Sequence, residues 1–186
     1  MSKLQECDFV VAAKMLNCEV AAIKAVAEVE SAGGGFLSNG RPKILFERHY
    51  FHRLTGGEYS AAHPDISNRN TGGYTSNEHA RLEKAAKLDR NAALQSASWG
   101  KFQIMGAHWK ALGYTSIQEF INAMYASETE HLMAFVKFVK VNGLSYELQR
   151  KDWAGFARGY NGSNYHINKY DQKMAVAYNK YKNKLQ

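Results

Sequence analysis

The chain has 186 residues, of which 45% are hydrophobic and 22% charged; this is the make-up of one folded domain and excludes a disordered or collagen-like chain. No apolar run approaches the roughly 18 residues that a membrane-spanning helix needs. The net charge of +7 is unevenly placed, because residues 1–130 hold 14 Lys+Arg and 14 Asp+Glu, whereas residues 131–186 hold 10 basic residues against Glu147, Asp152 and Asp171. A neutral front and a basic tail predict attraction to a polyanion, either nucleic acid or an envelope rich in anionic polymer and lipid. The alternative is a lysine-rich helix face that is simply solvated.

The N-terminal segment has Glu6 and Asp8 ahead of a short apolar stretch and no basic region with a cleavage site, so it reads as a first helix and not as a signal peptide. Asp8 is the expected cap of a helix over 9–16, and Asn17 of a second over 18–30, in which Val20, Ile23, Val26 and Val29 recur at helical spacing. Cys7 and Cys18 lie in these helical stretches and read as buried or half-buried thiols, too few for a closed zinc site. Gly33-Gly34-Gly35 ends the second helix. Residues 36–46 then give two extended pieces about Asn39-Gly40, a hairpin signal, with Pro42 keeping the hairpin small or at an edge. Residues 56–77, rich in Gly, Asn, Ser and Thr, form a long irregular loop of the kind that carries function.

Beyond residue 77 everything reads helical. Asn77 and Asp89 are caps, Ser116–Glu119 and Ser127–Glu130 are capping boxes, and Asn142-Gly143 is a stop. Two more helices are expected over 153–160 and 168–184. The expected architecture is a single, mainly α domain over 1–186 with a small β-hairpin inserted after the second helix, and no separate binding module.

Three segments could carry chemistry. Glu30 lies four residues after Val26 and seven after Ile23, so it continues the buried stripe, whereas Glu28 falls near the opposite face, four after Lys24, as an exposed ion pair. A carboxylate on an apolar stripe has a raised pKa, as a proton donor working near neutral pH requires; the alternative is a side chain that frays into solvent at a helix end. Ser98, with Trp99-Gly100-Lys101-Phe102-Gln103-Ile104-Met105-Gly106, and the pair Tyr160-Asn161 against Gly162 complete the set. Each alone reads equally as packing with a cap. His49 and His52 share a spacing with metal ligands but lack a third partner, so no metal is expected; Ser31 and Ser98 lack a nucleophile elbow, and the glycine run is no phosphate loop.

In this order, the Glu30-Ser31 helix end, the Gly-x-x-Gln-Ile-Met of 100–105 and Tyr160-Asn161-Gly162 resemble the signature segments of the lysozyme superfamily, with goose-type lysozymes and soluble lytic transglycosylases as near versions. Residues 28–36, 41–51, 98–106 and 158–162 more closely resemble the phage endolysin N-acetylmuramidase family, in the single-domain form found in phages of Gram-negative bacteria. The resemblance implies an α+β lysozyme-like fold and cleavage of the β-1,4 bond between N-acetylmuramic acid and N-acetylglucosamine in peptidoglycan, without a cofactor. It assigns Glu30 as the catalytic acid. Ser98, Gln103, Tyr160 and Asn161 would bind glycan or brace that acid. Where small phage lysozymes carry an aspartate about nine residues after the glutamate, this chain has Asn39, and the next acidic residue is Glu47. Glycoside hydrolysis ordinarily uses two carboxylates, about 5 Å apart for retention and about 6.5–9.5 Å apart for inversion. Glu47 is either that second group or a structural bridge to Arg48 or Arg41; in the latter case Glu30 acts alone, as in a transglycosylase. A competing reading is a basic envelope- or nucleic-acid-binding module without catalysis. The enzyme reading expects glycan strands and no nucleic acid as partner, a monomer, synthesis in the host cytoplasm, and access to periplasmic peptidoglycan after a membrane lesion. Lys169, Lys173, Lys180, Lys182 and Lys184, with Tyr170, Met174, Val176, Ala177, Tyr178 and Tyr181, would make the last helix a contact for an anionic outer membrane.

Overall fold

The computed structural model describes residues 3–30 and 33–184, and the chain divides into two units, residues 1–35 with 127–186 and residues 36–126. The first unit opens with helices α1 (Glu6–Leu16) and α2 (Val20–Glu30). Asp8 is not the cap of α1 but its capping-box partner, accepting from Gln5 N at 2.8 Å. Asn17 closes α1 in the left-handed conformation (φ 51°) instead of opening α2. The chain must reverse over Cys18 and Glu19, and asparagine enters that conformation cheaply. Cys18 therefore sits in the turn, with burial pushing its thiol up to about 11, and Cys7 is exposed. Ile23 and Val26 are fully buried, as the stripe requires.

The second unit departs from the expected hairpin. The Asn39-Gly40 turn forms, with Leu37 N donating to Arg41 O at 2.8 Å and Gly40 at φ 79°, yet pairing stops at one bridge, Phe36 to Pro42. Proline has no N–H with which to extend a ladder. Strand β1 (Ile44–Phe46) pairs instead with β2 (Ala97–Trp99), placing Leu45 opposite Ser98, and β2 pairs with β3 (Ile104–Met105), all antiparallel. Residues 97–105, read as helical, are thus a hairpin. All of β2 is buried, so it shows none of the alternation that reveals a half-exposed strand. Helices α3 (Arg48–Leu54), α4 (Glu78–Ala86), α5 (Arg90–Gln95) and α6 (Ile117–Ala126) complete the unit. Asn77 and Asp89 cap α4 and α5 as expected, accepting from Ala80 N and Ala92 N.

Two arginines order the loop of 56–77. Arg48 donates to the carbonyls of Asn70 (2.9 Å) and Thr71 (2.8 Å). Arg81, buried, donates to Asp65 O (2.8 Å), Phe46 O (3.0 Å) and Glu78 Oε2 (2.8 Å). Gly73, at φ 73°, is where the loop closes on them, since a Cβ there would meet both guanidinium groups and Asp65 O at 3.2–3.3 Å.

The chain returns to the first unit with α7 (Glu128–Val141), α8 (Ser145–Arg150), α9 (Trp153–Asn161) and α10 (Tyr170–Asn183). Small residues of α2 (Ala21, Ala22, Ala25) admit α10 closely, and Ala177 and Tyr178 pack there. Glu28 is exposed, as expected, but its partners are Lys180 (2.7 Å) and Tyr181 (2.6 Å) of α10, while Lys24 pairs with Glu6. Met174, Ala177 and Tyr178 are buried, leaving Val176 as the exposed apolar residue at 71%. The apolar face of α10 is used within the unit.

Arg81 is the pin of the second unit. Replacing it with Met takes a charged partner from Glu78 and a donor from the carbonyls of Phe46, Asp65 and Gly72, and the expected loss is about 3–5 kcal/mol in urea denaturation. A loss below about 1 kcal/mol would show that water replaces the guanidinium freely.

Candidate active site

Glu30 ends α2 on the line of Ile23 and Val26, so its carboxyl is carried into apolar surroundings by the same periodicity that buries them. One hydrogen bond reaches it among the described residues, from Asn161 Nδ2 to Oε1 at 2.9 Å. Burial raises its pKa from 4.5 to about 7, and the Asn161 bond pulls in the other direction without cancelling it. Two residues earlier, Glu28 is held below the ordinary range by its bonds to Lys180 and Tyr181. One helix end thus carries two glutamates with opposite protonation preferences.

The low-dielectric wall comes from α7 and α9. Tyr160 stacks on Phe156 with 5.6 Å between centroids and meets Phe135 and Phe138 edge-on at 5.7 and 5.4 Å. Burial, then the nearby charge of Glu30, push the Tyr160 phenol well above 10, so it stays neutral. Tyr170, the first residue of α10, is raised by the same two causes. Its position beside Glu30 was invisible in the sequence, where it reads as one apolar residue of a terminal helix. The backbone beyond α2 is anchored by buried Glu128, whose Oε1 accepts from Gly35 N at 2.6 Å. Ser31 lies outside the described residues.

The remaining candidates belong to the second unit. Glu47 precedes α3 and pairs with neither Arg48 nor Arg41; Arg48 holds the loop carbonyls and Arg41 pairs with Glu83. Its carboxylate instead takes the Tyr74 hydroxyl, at 3.2 and 3.0 Å from its two oxygens, and lies 3.2 Å from His49 Nδ1 without hydrogen-bond alignment. Tyr74 is 49% exposed. This partner, 27 residues away in an irregular loop, had no sequence signal. Ser98 and Gln103 are brought together: Ser98 Oγ donates to Gln103 Oε1 (2.8 Å), and Gln103 Nε2 donates to Gly100 O (2.8 Å). Gln103 itself is left-handed at φ 50°, so its amide braces the β2–β3 turn. His52 Nδ1 is bonded to Ser60 Oγ at 2.7 Å.

In the first unit, a half-buried acid poised near neutrality with a neutral phenol beside it can serve as a proton donor. Comparison with known proteins agrees. The Muramidase family, described as N-acetylmuramidase, matches residues 19–182, and the chain belongs to that family. It is a peptidoglycan-degrading glycoside hydrolase of the lysozyme type with an α+β lysozyme-like fold. Among solved structures it is similar to the crystal structure of Burkholderia AP3 phage endolysin, at 45% identity and TM-score 0.93, covering 97% of this chain and 72% of that one. No curated protein matches.

The raised pKa has a stability consequence. The folded state holds a proton on Glu30 up to about pH 7, whereas the unfolded chain releases it near 4.5, so stability is lost as pH rises through that window. Glu30→Gln, neutral throughout, should match wild type at pH 4 and be more stable at pH 8, by on the order of 1–3 kcal/mol. Thermal denaturation across pH checks this; a constant difference would contradict burial of the charged form.

Proposed function

We propose that the chain is an endolysin that cleaves the β-1,4 bond between N-acetylmuramic acid and N-acetylglucosamine, with Glu30 as general acid. The observation that carries this reading is the carboxyl raised to about 7 with one oxygen engaged by Asn161. Oε2 is then the oxygen that hands its proton to the glycosidic oxygen, which departs as an alcohol. Tyr160 and Asn161 act by holding this acid. Glu47 is the second carboxylate, stabilising the oxocarbenium-like centre or activating water, with Tyr74 fixing its orientation. Ser98 and Gln103 shape the glycan-facing turn through their mutual bond.

The protein works as a monomer on periplasmic glycan strands, reached after a membrane lesion; no described helix is long and apolar enough to cross a membrane. Contact of α10 with an anionic outer membrane runs through its lysines, because its apolar residues are largely packed against α2.

Lysis of outer-membrane-stripped cells tests the assignment. Glu30→Gln should lose at least about 10³-fold and Glu47→Gln about 10²-fold, with Glu28→Gln near wild type. Mass spectrometry of wild-type products should find reducing ends, and not anhydro ends lighter by one water. A Glu47→Gln enzyme with full activity and a lowered Tm would make that residue structural.

A further inference from the structure

One face of α3 carries a feature that hydrolysis of a bare glycan does not use. His49, His52 and Arg53, neighbours on one face of α3, line a cavity of about 480 Å³ together with Gly56 just past the helix end and Arg69 from the loop. No acidic side chain lines it. Among the described residues neither Arg53 nor Arg69 forms an ion pair.

Its walls are held in place. The Arg53 guanidinium lies over the Tyr50 ring, 4.3 Å from the centroid. His52 is fixed by Ser60, which in turn bonds Ser67 at 2.9 Å. The His52 ring also presses on Gly57, where a Cβ would come within 2.7 Å of it at a φ of +80°. Two guanidinium forks and two imidazoles around an open space, with no carboxylate among them, are arranged for an anion supplied from outside. The cavity adjoins Glu47 through His49, whose Nδ1 is 3.2 Å from Glu47 Oε2.

We propose that this cavity takes a carboxylate of the acidic stem peptide that peptidoglycan carries on its muramic acid. The proposal rests on the reading of Glu47 as a substrate-facing carboxylate. The sugar next to the scissile bond bears that peptide, so a basic cavity one residue from Glu47 meets the peptide when the bond meets the carboxylate. The enzyme thereby distinguishes peptide-bearing from peptide-free glycan, with Arg53 and Arg69 as specificity residues.

The test is the ratio of hydrolysis rates on intact sacculi and on the same sacculi stripped of stem peptides by an amidase. Wild type should favour the intact substrate, and Arg53→Gln/Arg69→Gln should lower that ratio about tenfold, mainly through KM. Both side chains are exposed, so Tm should stay within a few degrees. An unchanged ratio overturns the proposal. So does a variant that loses binding to vesicles of anionic phospholipid while keeping the ratio, because the cavity then serves a lipid phosphate. Glu47→Gln run alongside separates the two ideas. Full activity there sinks the catalytic reading, while the arginine ratio still reports on the cavity.

Discussion

A carboxyl group drawn out of water needs compensation, and at Glu30 the compensation among the described residues is one neutral hydrogen bond, from Asn161. An arginine or lysine in that place would hold the group ionised, as Lys180 does for Glu28. An amide alone leaves desolvation dominant, and the acid keeps its proton to about pH 7. Such a site costs stability in order to be reactive, a trade familiar from enzymes generally.

Much of the first unit serves that condition. Alanines on α2 let α10 approach, which ties Glu28 away on the far side. The aromatic stack of α7 and α9 excludes water where Tyr160 meets Glu30. Asn161 closes α9, so the helix end that delivers Tyr160 also delivers the amide that donates to Glu30. Glu128 of α7 holds the backbone of Gly35 through its Oε1. The second unit spends its buried charge differently. Arg81 and Arg48 bind loop carbonyls, and the loop they order presents Tyr74 to Glu47.

What the sequence reveals follows from range. Spacing on one helix separates Glu30 from Glu28, because periodicity is local and burial follows it. Asn161 and Tyr160 are found through a short segment resembling known muramidases, although nothing in their spacing says that Asn161 bonds Glu30. The partner of Glu28 was misread because Lys24, four residues before it, answers to Glu6 once α1 folds back. The sheet escaped for a related reason. Its pairing joins Leu45 to Ser98 across more than fifty residues, and neither three-residue strand has room to show a period. Helix α3 was missed because its sequence, RHYFHRL, is poor in strong helix formers. Tyr74, Tyr170 and Arg69 owe their positions to tertiary packing and leave no mark on the local pattern.

The central claim is that Glu30 is held protonated near neutral pH by burial against a weak donor. The most direct measurement is the titration of its side-chain carboxyl by carbon NMR, in wild type and in Asn161→Ala. A midpoint of about 7 is expected in wild type. A higher midpoint is expected in the variant, because removing the donor takes away an interaction that favours the charge. A wild-type midpoint near 4.5, or an Asn161→Ala midpoint shifted downward, would contradict it.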